Sequence, residues 1–159
     1  RWGQAALDAV REEIGDTARL FILTTASLVK NTQIIDEMQR GLSPQCCGVF
    51  HNISEHTPFS DVVDAAQAAR AANADIILSV GGGSIIDAAK AVIICLRESI
   101  DTVEALSSRI GQISEGPGGP RHLPLLPRDS PHGDPLLLRT DPALRLGAHG
   151  AVLGPHGHP

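Results

Sequence analysis

Three consecutive glycines, Gly81, Gly82 and Gly83, followed by Ser84 and then Asp87, are the residues whose types and spacing point to chemistry. Glycine leaves the peptide groups of a turn bare, permits positive φ angles and lets a ligand lie directly against the backbone. Ser84 suits an N-cap and Asp87 suits the return half of a capping box, so a helix is expected to begin at Ser84. The first N–H groups of such a helix have no intrahelical partner. With the helix dipole they favour an anion such as a phosphate. The stretch is not the G-x-G-x-x-G dinucleotide fingerprint, because Ile86 stands at the third glycine position, and it lacks the Gly-Lys-Ser/Thr ending of a P-loop. A flexible turn before a ligand-free helix is the competing reading of the same residues.

The elements around the motif must place it. Ile76, Ile77, Leu78 and Val80 form a continuous apolar run, as in a parallel strand buried on both faces. Upstream, residues 4–14 set Leu7, Val10 and Ile14 on one helical face, with Gly15 as the stop. Arg19 to Thr24 reads as a strand ending in the polar run Thr24-Thr25-Ala26-Ser27. Residues 32–40 read as a short helix with Ile34, Ile35 and Met38 inward and Gly41 at its end, and Cys47 to His51 as a second strand. Ser60 is expected to cap an alanine-rich helix running to about Asn73. Strand starts near 20, 47 and 76 lie 27 and 29 residues apart with helical sequence between them, the pattern of a βαβαβ unit with parallel strands. The fold class expected is therefore α/β, a Rossmann-like parallel sheet. Its carboxyl edge would carry the glycine turn together with Thr24 and Thr25, where open α/β sheets bind ligands. The motif helix continues to Leu96, and a further helix over 101–110 places Val103, Leu106 and Ile110 on one face.

After Ile113 the chain changes character. Residues 116–159 hold nine of the eleven prolines, eight of the sixteen glycines and five of the seven histidines. Proline removes donors and interrupts both helix and strand, so residues 114–159 read as an irregular or disordered tail behind a domain of residues 1–113. Leu136-Leu137-Leu138, the one compact apolar run there, is too short to assign. A disordered proline-rich segment and the product of a shifted reading frame in a GC-rich gene are both compatible with this composition. His156 and His158 have metal-pair spacing but no rigid scaffold, and are not taken as ligands.

Composition narrows the class. The 159 residues are 42% apolar and 19% charged, as in a globular domain, and a net charge of −5 argues against nucleic acid or an anionic membrane as partner. No apolar run reaches membrane-span length and no signal sequence is recognisable, which favours the cytoplasm. Arg1 stands where an initiating methionine would, so an upstream piece is expected. Cys46, Cys47 and Cys95 fit neither a disulfide framework nor a zinc knuckle and are expected as buried free thiols. His51 and His56 are loop histidines that could meet a nucleotide or substrate, or simply face solvent.

Gly81-Gly82-Gly83-Ser84-Ile85-Ile86-Asp87-Ala88-Ala89-Lys90 resembles the Gly-Gly-Gly-Ser-x-x-Asp-x-x-Lys signature of the iron-containing (type III) alcohol dehydrogenases. His56-Thr57-Pro58 is similar to the family's His/Asn-x-Pro, in a form like that of its maleylacetate reductase branch. The resemblance covers about residues 1–106. It implies an NAD(P)-dependent oxidoreductase whose pyrophosphate lies on Gly81, Gly82, Gly83 and Ser84, with Asp87 bordering the nucleotide and Thr24 and Thr25 near the adenosine. No acid stands at the end of that first strand, so the choice between NAD and NADP is left open. The family's Fe²⁺ or Zn²⁺ is held by an aspartate and three histidines in a later helical domain, which the resemblance does not find in this chain. The expectation is an alcohol dehydrogenase truncated to its cofactor-binding half and catalytically incomplete, with an alcohol, aldehyde or keto acid as the intact family's substrate. A homo-oligomer is compatible with it. A non-catalytic nucleotide-binding or interaction module is the alternative, and turnover would discriminate the two.

Overall fold

A strand whose side chains alternate between two faces can serve two cores at once, and the first strand does so. The computed structural model describes residues 4–114 and 136–140. In β1 (Leu20–Leu23) all four residues are buried. Leu20 and Ile22 face one core, and Phe21 and Leu23 the other. β3 (Ile76–Ser79) repeats the arrangement, with Ile76 and Leu78 on the first side and Ile77 on the second. Double-sided burial is why both strands read as unbroken apolar runs rather than as alternating ones.

β1 lies centrally, parallel to β2 (Cys46–Phe50) on one side and to β3 on the other. The chain thus moves one way across the sheet from β1 to β2 and the opposite way from β2 to β3. Right-handed crossovers in opposite directions put their helices on opposite faces, and the packing follows. α1 (Gln4–Ile14) and α3 (Ile34–Gly41) contribute Leu7, Val10, Ile14, Ile35 and Met38 to the first core. α4 (Phe59–Ala71), α5 (Gly83–Arg97) and α6 (Val103–Ser114) close the second. Buried Ala65, Ala66 and Ala69 keep α4 slim where it meets α5. The three-strand parallel unit with helices on both faces is the Rossmann-like α/β architecture expected from the strand spacing.

Several local expectations are corrected. A helix not expected from the sequence follows the polar run after β1: α2 (Ala26–Asn31) begins at once, because the Thr25 hydroxyl accepts from the Leu28 N–H at 3.3 Å and caps it. α4 begins at Phe59 rather than behind a Ser60 cap, and Ser60 sits inside its first turn. Pro58 holds the cap position because its fixed φ and extended ψ already lead into the helix. Val103 stays 37% exposed while Leu106 is buried, so the inner face of α6 is narrower than its apolar spacing suggests. Cys95 is buried, whereas Cys46 and Cys47 on the edge strand β2 are only half-buried; all three are free thiols.

Leu136-Leu137-Leu138, too short to assign from sequence, lies in β4 (Leu136–Arg139), antiparallel to β3 with Leu138 opposite Ile77. Thr140 anchors its end, its N–H donating to the Asp75 carbonyl and its hydroxyl to that of Ala74, each at 2.7 Å. Residues 1–3, 115–135 and 141–159, with His156, His158 and the shifted-frame reading, lie outside the described residues. No helix among those described is long and apolar enough to cross a membrane.

Candidate nucleotide site

Between β1 and β3 the direction of strand succession reverses, and in open α/β sheets the crevice beyond the carboxyl ends at such a point is where ligands bind. β1 ends at Leu23 and runs into Thr24 and Thr25; β3 ends at Ser79 and runs into Val80 and the three glycines. The structure therefore brings Thr24 and Thr25 to the same edge as residues 81–84, as the sequence reading required.

Thr24 and Thr25 both spend their hydroxyls on hydrogen bonds within the protein. Thr24 is fully buried. Its hydroxyl donates to the Val80 carbonyl at 2.8 Å, the Val80 N–H donates to Leu23 at 2.9 Å, and the Thr24 N–H donates to Phe50 at the end of β2, also at 2.9 Å. Thr24 thus ties the three parallel strands together just below the glycine turn, and its hydroxyl is engaged inside the protein. Thr25 is half-buried and engaged as the α2 cap.

The glycine turn also differs from its sequence description. α5 starts at Gly83, its N-cap is Gly82, and no side chain caps it. Ser84 is therefore the second helical residue and Asp87 lies beyond the first turn, so the anticipated Ser84/Asp87 capping box does not form. The physical reason is that Gly82, extended at φ −80° and ψ −172°, already turns its carbonyl to accept from Ile85 and Ile86, at 3.0 and 3.3 Å. The N–H groups of Gly83 and Ser84 are left as the unpartnered donors of the first turn among the described residues.

The three glycines are not equivalent. Gly81 has φ +157°, and a Cβ there would stand 2.8 Å from Cγ1 of Ile85, so the fold itself demands glycine. Gly82 and Gly83 have ordinary backbone angles for any residue, and a Cβ on either would meet nothing within 4 Å. A serine, asparagine or aspartate would cap the helix better than Gly82, and alanine would favour the helix more than Gly83. With no side chain at either position, the backbone beside the free N–H groups is left as an open cradle for an anion.

Neighbouring groups complete the edge. Asp87 is exposed and pairs at 3.1 Å with Lys90, whose side chain is only 13% exposed. His51 and His56 are both exposed. The loop between β2 and α4 takes His56 and Thr57 through the left-handed region, at φ 64° and 47°, and the Thr57 hydroxyl donates to the Ser84 carbonyl at 3.4 Å. Sequence reading placed Thr57 in a motif without giving it a part to play; residue types carry no sign of the backbone conformation that points it at α5. Asp61 anchors this loop by accepting from the Ser54 N–H at 2.8 Å, and that hydrogen bond holds its carboxyl below the ordinary carboxylate range. Among the described residues no three His, Cys, Asp or Glu side chains converge as metal ligands.

A parallel strand order reversing beside a glycine turn and an open helix N-terminus defines the class as a Rossmann-like α/β unit with a candidate ligand edge. Residues 1–125 match the sequence profile of the iron-containing alcohol dehydrogenases, and the chain belongs to that family. The match runs beyond residue 106, where the motif resemblance stops. Among curated relatives, the chain is 25% identical to dehydrogenase FUM7 of Gibberella moniliformis over 71% of its own length and 27% of the relative's. It is 28% identical to the NADPH-dependent aldehyde reductase YqhD of Escherichia coli K12, over 56% of this chain and 23% of that one. To dehydrogenase ALT3 of Alternaria alternata it is 30% identical, over 58% and 25%. The chain therefore spans about a quarter of the length of these relatives. The crystal structure of E. coli K-12 YqhD superposes with a TM-score of 0.50 at 27% identity, covering 54% of this chain and 22% of that one.

Proposed function

We propose that this chain is the cofactor-binding part of an alcohol dehydrogenase-type oxidoreductase, and that it holds the pyrophosphate of NAD(P) on Gly81, Gly82, Gly83 and Ser84. The observation that carries the reading is that Gly82 and Gly83 have no reason in the fold to be glycine. A ligand lying against the backbone supplies one. Gly81 shapes the turn, the N–H groups of Gly83 and Ser84 meet the anion, and Thr24 fixes the height of the turn above β1. Asp87 and Lys90 border the nucleotide as a mutually neutralising pair.

When bound, the nicotinamide would supply hydride chemistry between an alcohol and a carbonyl compound. This part of the chain contributes binding and orientation. Family membership and the relative described as an NADPH-dependent aldehyde reductase support NADP(H) and an aldehyde or alcohol substrate. The absence of an acid in the first turn of α2 is compatible with a 2′-phosphate. The described residues do not fit the family's metal ion, and no step is assigned to one.

Calorimetric titration of the full chain with NADPH and with ADP tests the proposal. Binding is expected for wild type and lost in Gly82→Val, whose branched side chain occupies the cradle. Equal affinity in the two proteins would overturn it.

A further inference from the structure

The loop between β2 and α4 contains two consecutive non-glycine residues in the left-handed region, and one of them is β-branched. Threonine is among the residues least suited to that conformation, so the surroundings must impose it. They do so from two sides. The Asp61 carboxylate takes the Ser54 N–H, and the Thr57 N–H donates to the Ser54 carbonyl at 3.2 Å, which fixes the start of the loop against α4. Pro58 and the first turn of α4 then fix its end. Between these anchors the left-handed pair directs Thr57 across to α5, where its hydroxyl reaches the Ser84 carbonyl at 3.4 Å. Thr57 is half-buried, whereas Glu55, His56 and Pro58 around it are exposed.

We infer that Thr57 is a positioning residue for the nucleotide site: it holds the first turn of α5 at its open end, so that the N–H groups of Gly83 and Ser84 stay aimed at the anion. The inference rests on the proposed site at residues 81–84. Gly82 and Gly83 bring no side-chain contacts of their own to steady that turn, and no side chain caps the helix. A glycine-rich helix start that leaves donors free for a ligand loses the groups that would ordinarily order it. A hydroxyl on the carbonyl of the second helical residue restrains the turn from outside without covering the donors.

The test compares Thr57→Val, Thr57→Ser and Gly82→Val in the full chain, with ADP and NADPH titrated by calorimetry and amide hydrogen exchange followed at Ile85 and Ile86. Valine keeps the branched shape and removes the hydroxyl. We expect about three- to tenfold weaker nucleotide binding, on the scale of one neutral hydrogen bond, and faster exchange at these two amides, whose bonds to the Gly82 carbonyl close the first turn, with an unchanged denaturation midpoint. Serine keeps the hydroxyl and should retain wild-type affinity and exchange. If Thr57→Val binds as wild type does while Gly82→Val does not bind, the positioning role is wrong and the site stands. If Gly82→Val binds as wild type does, the site itself is wrong. A loss of affinity in Thr57→Val that serine does not restore would also overturn the role assigned to the hydroxyl.

Discussion

The hydroxyl of Thr24 donates to the carbonyl of Val80 across 2.8 Å, joining the residue after β1 to the residue before the glycine turn, 56 positions later in the chain. Neither group is accessible to solvent in a useful way, Thr24 being fully buried and Val80 nearly so. The bond sets how far the glycines stand above the sheet edge. It is a constraint on the site made by a residue that does not itself face a ligand.

Removing that hydroxyl should therefore act on two observables. Thr24→Val keeps the shape and leaves the Val80 carbonyl without its partner, a cost of about 1–3 kcal/mol for a buried unsatisfied group. Urea denaturation should show this loss of stability. Calorimetry at a temperature where the variant stays folded should show weaker nucleotide binding. A variant as stable as wild type would mean that the hydroxyl does not hold the strand end.

Gly81 and Gly83 should respond in opposite ways to the same change. Gly81→Ala places a Cβ 2.8 Å from Ile85 in a backbone conformation that favours glycine, and should destabilise by about 1–3 kcal/mol. Gly83→Ala adds a better helix former in open space and should stabilise by about 0.5–1 kcal/mol. Nucleotide affinity should nonetheless fall in Gly83→Ala. Thermal unfolding and calorimetry on the two variants separate what the fold requires of the motif from what the ligand requires.

Burial pushes the Cys95 thiol up to about 11 from an ordinary value of 9.0, with Arg70 opposing the shift. Cys46 and Cys47 are also raised by burial. In the native protein near neutral pH, Ellman's reagent should therefore react slowly with Cys46 and Cys47, and with Cys95 only after denaturant is added. The stability contribution has a definite sign. The folded thiol keeps its proton to higher pH than the unfolded one, so this contribution is complete below 9.0 and is lost as pH rises towards about 11. The difference in stability between wild type and Cys95→Ala should narrow across that window; a constant difference would contradict the assignment.

The sequence by itself determined most of the elements and their order. Apolar runs at Leu20–Leu23 and Ile76–Ser79, helical spacing in α1 and α4, and strand starts just under thirty residues apart are local properties, readable from side-chain type and period. It also displayed the motif, three glycines and a serine between an apolar run and a helix, and the family resemblance that the motif carries. Only the tertiary structure decided that β1 lies between β2 and β3, since strand order depends on long-range pairing that no local pattern records. From that order followed the reversal point, the assignment of helices to faces and the inward turn of Thr24. The same holds for β4, whose three leucines become a strand because β3 offers a free edge beside them. Which of three identical glycines serves the backbone, and which two leave room for a ligand, depends on φ angles and on the position of Ile85, and letters of equal identity cannot carry that distinction.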